Sequence, residues 1–364
     1  MYHIKPYLKN LERLRAGSYR DVSSGLFLDR NERSVSHDSK LIEALLDHLR
    51  GVNFGLYPEL EPFYQKLSAW LDISVNQIYV TEGVSGAIKS LVETLTIPGK
   101  HNIVFPYPTF ALYPVYCEMF NVEPRIVGYT RSYELDYQSL IDSIDLDTAI
   151  VFLPNPNMPI EGTLSINEIV NLAEQCNKYE TILAVDEVYY PFGGPTTIDL
   201  INEYENIFVM RSFSKAFGLA GIRVGYILGS GQNIDYVSKT RTGYESNSIS
   251  MGIASFFIDH YDVILDFVKE VKDGLRYLKR ELEKLGIEYN GGETGNFIYV
   301  NLRDVELANV IVQRLKDRQI YVRGGWPEPF DAGFSVTGAP KKIMEEFFHE
   351  FSIEFNSFRT VHNH

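Results

Sequence analysis

Short apolar runs alternate with amphipathic stretches over much of the chain. The segments "QIYVTEG", "NIVFP", "EPRIVGY", "TAIVFLP", "TILAVDE", "NIFVMRS" and "IRVGYIL" are rich in β-branched residues and bounded by Gly, Pro or charged positions. Such runs read as strands buried on both faces. The segments "SKLIEALLDHLR", "SGAIKSLVETL" and "INEIVNLAEQCNKY" instead place apolar residues at helical spacing. The alternation predicts an α/β domain over 41–245, with a mostly parallel sheet covered by helices on both faces. From 246 to 364 the texture changes. The stretch "MGIASFFIDHYDVILDFVKEVKDGLRYLKRELEKLG" predicts long helices of mixed charge, followed by strands "NFIYVNL", "IYVRG" and "GFSVTG", a helix "ELANVIVQRLKDRQ" and a closing helix. This is a smaller α+β domain. Residues 1–40 read as an N-terminal arm belonging with it.

Composition narrows the class. The chain has 364 residues, 45% hydrophobic and 23% charged, which suits two globular domains. A net charge of -14 argues against a nucleic-acid or anionic-membrane partner. Two cysteines, Cys117 and Cys176, are too few for a disulfide framework, and neither they nor the eight histidines show metal-ligand spacing. They read as buried small apolar residues, and no metal is expected. The N-terminus lacks the apolar core of a secretory signal, and no run is long enough to span a membrane. A soluble cytoplasmic protein is the expectation.

Several stretches carry candidate chemistry. In "YVTEGVSGAIKSL" a strand ends in two glycines, Gly83 and Gly86, at a predicted helix start. Free N–H groups and the positive end of the helix dipole would cradle a phosphate there, although a plain strand-helix turn reads equally well. In "ILAVDEVYYPF", Asp186 and Glu187 end an apolar strand, and alternation lets only one of them face a given ligand. Tyr189 follows on the loop. In "SFSKAFGLAGIRVG", Ser212, Ser214 and Arg223 offer donors for a phosphate. Lys215 offers an amine that neighbouring cations could keep partly neutral. Alone, Lys215 would read as a solvated loop lysine. Arg223 falls in a predicted strand. Tyr107, Phe110 and Tyr113 could stack on a flat ring, and the asparagines of "LPNPNMPIEG" could donate to a phenolic oxygen. Singly, each is as readily core or turn. "YILGSGQNI" lacks the third glycine of a dinucleotide fingerprint and is set aside.

In this order, the stretches resemble the fold-type I pyridoxal-phosphate (PLP) enzymes, and within them the histidinol-phosphate aminotransferase-like group of class I/II aminotransferases. "SFSKAFGLAGIRVG" matches the signature Ser-x-Ser-Lys-x-x-Gly-Leu-Ala-Gly-x-Arg-x-Gly. The resemblance implies that Lys215 carries the cofactor as a Schiff base. Ser212, Ser214, Arg223 and the backbone near Val84 and Ser85 would hold its phosphate. Asp186 would keep the pyridinium nitrogen protonated, so that the ring acts as an electron sink. Tyr189 would bond the ring's phenolic oxygen, and Phe110 would stack on the ring. Tyr57, in "GLYPEL", matches a tyrosine that reaches the phosphate of the neighbouring subunit, which implies a homodimer with shared sites.

The sequence departs from the family pattern in three places. Met158 stands where an asparagine usually contacts the ring, leaving Asn157 to take over. The segment Asn-Glu-Asn-Pro becomes "RNERSVS". Aligned on Gly338, the arginine that grips a substrate α-carboxylate becomes Phe334. Arg323 is kept at the position that holds a substrate phosphate in histidinol-phosphate aminotransferases, with Trp326 as pocket wall. These departures favour transamination of a small phosphorylated amine or ketone without an α-carboxylate, dihydroxyacetone phosphate for example, with glutamate as donor. Decarboxylation of a phosphorylated amino acid such as phosphoserine is one alternative, and histidinol-phosphate transamination proper is another. Retention of Lys215, Asp186 and Arg223 argues against a non-catalytic cofactor-binding protein.

Overall fold

The computed structural model describes residues 3–9, 11, 24–130 and 132–362. The remainder of the N-terminal arm, residues 1–2, 10 and 12–23, lies outside the described residues. The arm contributes strand β1 (Leu26–Leu28). A seven-stranded sheet follows, built from β2 (Ile78–Thr81), β3 (Asn102–Pro106), β4 (Glu123–Val127), β5 (Thr148–Pro154), β6 (Ile182–Asp186), β7 (Ile207–Ser212) and β8 (Gly225–Leu228). Its order is β2-β8-β7-β6-β5-β3-β4. Only β8 runs against the others, antiparallel to both β2 and β7. The six remaining strands therefore end along one edge.

Alternation along each strand feeds two different cores. Ile103 and Phe105 of β3, Ile150 and Phe152 of β5, Ala184 of β6, and Phe208 and Met210 of β7 pack on one face, against the helix Gly83–Leu95. Val104, Val151, Leu153, Leu183, Val185 and Val209 pack on the other, with Leu172 and Ala173 of the helix Ile166–Asn177. Two-sided burial explains why these strands read as continuous apolar runs.

The C-terminal part holds an antiparallel sheet in the order β12-β10-β9, formed by β9 (Glu288–Gly291), β10 (Phe297–Asn301) and β12 (Gly333–Thr337). The separate strand β11 (Ile320–Val322) pairs in parallel with β1. The helices Tyr261–Lys284 and Lys341–His362 pack on each other beside this sheet. One local expectation is corrected. Arg223 is not in a strand: it has φ 56°, in the left-handed region, between the turn Ala220–Ile222 and β8. That reversal lets β8 return antiparallel beside β7.

Candidate active site

The carboxyl ends of β5, β6 and β7, the start of the helix Gly83–Leu95, the arm and β11 together enclose a cavity of about 820 Å³. Ser212 ends β7, and Ser214 and Lys215 follow it into the cavity wall. The two serine hydroxyls lie 2.9 Å apart, and Ser214 N–H donates to Ser212 Oγ at 3.1 Å. Arg223 reaches the same corner, donating to the carbonyls of Ala220 and Glu82, each at 3.1 Å. Gly83 makes this possible. Its φ is +66°, and an added Cβ would lie 2.8 Å from Arg223 Nη2. Val84 and Ser85 line the cavity just beyond, in the first turn of the helix. Hydroxyls, a guanidinium and helix N–H groups therefore converge as the sequence predicts.

Lys215 Nζ donates to the carbonyl of Arg30 at 2.8 Å, so the arm covers the lysine. Burial lowers its pKa from 10.5 to about 8; the carboxylates of Glu32 and Asp186 oppose the shift, and the charges of Arg223 and Arg323 add to it. Asp186, at the end of β6, shares a face with Ala184 and points to the cavity. Glu187 points the other way. There it pairs with Arg211 at 2.9 Å and accepts from the backbone and hydroxyl of Thr197. Alternation thus selects one carboxylate for the site and makes the other a structural anchor. Asp186 accepts from the Tyr113 hydroxyl at 2.7 Å and from Val188 N–H at 3.1 Å. Burial raises its pKa to about 6, against the pull of those two bonds.

The aromatic candidates separate. Phe110 lines the cavity and is free to stack on a ring there. Tyr113 is buried beneath, holding Asp186, and Tyr107 is not among the lining residues. Tyr189 and Asn157 both line the cavity. Asn157 is fully engaged, however. Its Oδ1 accepts from Thr109 Oγ1 at 2.7 Å, and its Nδ2 donates to the Pro108 carbonyl at 2.9 Å and to the Tyr129 hydroxyl. Both of its N–H groups are thus engaged within the protein.

The smaller domain closes the far wall. Arg323 lines the cavity, its guanidinium 4.5 Å from the centroid of Trp326. Trp326 is buried behind it rather than at the wall itself. Phe334 is a correction. It is fully buried, shares the core face of β12 with Val336, and lies 5.9 Å from the Phe351 ring. The opposite face of β12 carries Gly333, Ser335 and Thr337, and Ser335 pairs with Arg323 across a backbone bridge. Ser335, one residue on from Phe334, is on the Arg323 side, and a shift of one residue exchanges the faces of a strand. No arginine occupies the Arg323-facing side of β12. Tyr57 is also outside this cavity, 76% exposed and stacked on Tyr244 at 4.7 Å.

Two positions bonded to the site or its loop were not singled out from the sequence. Asn31, in the arm, donates to the Tyr189 hydroxyl at 2.8 Å. Its left-handed backbone, φ 54°, is invisible in the sequence. Glu161 of the "NPNMPIEG" loop accepts from Glu293, Thr294 and Gly295 N–H at 2.8, 2.8 and 2.5 Å, fastening the loop to the smaller domain. Its charge, in a loop otherwise apolar and amide-rich, was the available signal.

A lysine lowered toward neutrality, a buried carboxylate and a phosphate cradle at the edge of this sheet define a PLP enzyme of fold type I. The match of residues 22–334 to the family described as aminotransferase class I and II settles membership: the chain belongs to that family. Among its relatives, histidinol-phosphate aminotransferase of Thermoanaerobacter sp. (strain X514) is 31% identical over 300 residues, covering 81% of this chain and 83% of that one. The enzyme of the same description from Pyrococcus furiosus is 28% identical over 316 residues, covering 85% and 88%. Among solved structures, histidinol-phosphate aminotransferase from Sinorhizobium meliloti in complex with pyridoxal-5'-phosphate superposes with a TM-score of 0.82 at 21% identity, over 92% and 91% of the two chains. The protein is a PLP-dependent aminotransferase. The donor set at this corner, Ser212, Ser214, Arg223 and the first helical turn at Val84 and Ser85, fits the cofactor's phosphate.

Proposed function

We propose that the enzyme transaminates histidinol phosphate, a phosphate ester whose amine-bearing carbon carries no carboxylate. The observation that carries this reading is Arg323, opening into the cavity on its Trp326 support, in a chain whose relatives are named for that substrate. Dihydroxyacetone phosphate would suit the same features, Arg323 and a β12 face without an arginine, and it is the names of the relatives that favour histidinol phosphate over it.

When bound, PLP supplies an electron sink conjugated to the amine-bearing carbon. Ser212, Ser214, Arg223 and the N–H groups of Val84 and Ser85 bind the cofactor phosphate. Asp186 holds the proton on the pyridine nitrogen, itself held by Tyr113. Tyr189 donates to the ring's phenolic oxygen and Phe110 covers the ring. Lys215, close to half neutral near pH 8, takes and returns the proton at the reacting carbon. Arg323 binds the substrate phosphate as a planar fork.

The test is amino transfer from histidinol phosphate to 2-oxoglutarate, read as glutamate by mass spectrometry. Parallel incubations contain dihydroxyacetone phosphate with glutamate, or phosphoserine. Glutamate formed from histidinol phosphate, with KM rising about 100-fold in Arg323→Leu, supports the proposal. Turnover of dihydroxyacetone phosphate alone, or CO2 released from phosphoserine, replaces it.

A further inference from the structure

Asn31 sits where the arm, the cavity and the smaller domain meet. Its backbone N–H donates to Thr337 Oγ1 at 2.9 Å. The Thr337 hydroxyl in turn gives its single proton to Asn31 Oδ1 at 3.1 Å. In this arrangement the Asn31 amide turns its oxygen toward Thr337 and its nitrogen toward Tyr189. Nδ2 then donates to the Tyr189 hydroxyl at 2.8 Å. Asn296 Nδ2 donates to the Asn31 carbonyl at 3.2 Å, tying the arm down. Asn31, Thr337 and Tyr189 are all buried.

Tyr189 oxygen thus accepts from Asn31 and keeps its own proton to give. The other contact of that hydroxyl is the Met158 sulfur at 3.9 Å, a weak acceptor. Met158 lines the same cavity as Tyr189, Lys215 and Asp186, so the proton is on the cavity side and is held there only weakly. A donor feeding the phenol oxygen polarises its O–H and strengthens what it donates. The N–H groups of Asn157 are engaged by Pro108 and Tyr129.

We propose that Asn31 is a positioning residue acting through Tyr189. The chain from Thr337 to Asn31 to Tyr189 aims and strengthens one proton toward the phenolic oxygen of bound PLP, in place of the asparagine lost at Met158. This rests on Tyr189 being the donor to that oxygen. Such a donor stabilises the oxygen's anionic form and so lowers the pH at which the bound cofactor's chromophore titrates. Weakening it moves that pH upward.

The test is an absorbance titration of the holoenzyme, which needs no turnover. Asn31→Gly suits the left-handed backbone and removes the amide. Asn31→Asp keeps the acceptor toward Thr337 and turns an acceptor toward Tyr189. Both variants are expected to raise the titration midpoint by about half a pH unit or more, in the direction of Tyr189→Phe. In the Tyr189→Phe background, Asn31→Gly adds nothing. Asn296→Ala, which loosens the arm but keeps the amide on Tyr189, leaves the midpoint in place. A shift in Tyr189→Phe without one in either Asn31 variant overturns the inference. So does an additive double variant, or an equal shift in Asn296→Ala. No shift in Tyr189→Phe removes the role of Tyr189 itself.

Discussion

Lys215 and Asp186 are each held away from their ordinary protonation by burial, in opposite chemical senses. Burial holds Lys215 at about 8 where an exposed lysine has 10.5. Below pH 8 the folded chain carries a buried cation, so this group opposes folding there. The opposition fades between pH 8 and 10.5, where the unfolded chain binds more protons. Capture of PLP needs the neutral amine. Its rate in the apoprotein is therefore expected to rise with pH with a midpoint near 8, followed by the growth of the cofactor's absorbance. Asp186 behaves conversely. Its pKa is raised from 3.8 to about 6, so its contribution to stability falls as pH climbs through that window and stays low above it. Asp186→Asn should stabilise the apoprotein at pH 7 by about 2 kcal/mol, measured by urea unfolding. The same variant should lose most of the activity, because an amide does not hold the pyridine proton.

At the scale of elements, the phosphate corner depends on a missing side chain. Gly83→Ala places a Cβ against Arg223 at a positive φ. It should cost about 1 kcal/mol of stability and weaken PLP binding at least about 10-fold, read by fluorescence titration. Glu161→Ala would leave three N–H groups of the 293–295 turn without their acceptor. A loss of about 1–3 kcal/mol in urea unfolding is expected, with KM rising more than kcat falls if the wall it fastens shapes the substrate site. The strands of the large sheet were legible because two-sided burial leaves unbroken β-branched runs. The cavity corner was legible because its donors lie within one short stretch, Ser212 to Arg223. The face of β12 was legible in principle: in "GFSVTG" the apolar residues alternate with Ser335 and Thr337, which already assigns Phe334 to the core. The partners of Asn31 were not legible, because they lie 158 and 306 residues away and only the fold brings them together.

The whole molecule leaves an apolar surface around the loop that carries Tyr57. Phe54, Leu56 and Tyr57 are 79%, 69% and 76% exposed, and Leu46 is 58% exposed. From the resemblance and this exposure we propose a homodimer in which Tyr57 reaches the partner's phosphate corner. Mixing Lys215→Ala and Tyr57→Phe chains should then regain activity that neither homodimer has, since one of the two sites in the mixed dimer is intact. Recovery that is absent when the mixed dimer is seen by native mass spectrometry would place Tyr57 outside the site.

The parallel pairing of β1 with β11 joins Leu26–Leu28 to Ile320–Val322. The carbonyl of Arg30, which covers Lys215, lies two residues beyond that strand. A growing chain therefore exposes Lys215 and its serines long before the strand that holds their cover has been made. The cover over Lys215 is thus tied to a strand made about a hundred residues after the lysine itself, so the two can meet only late in synthesis.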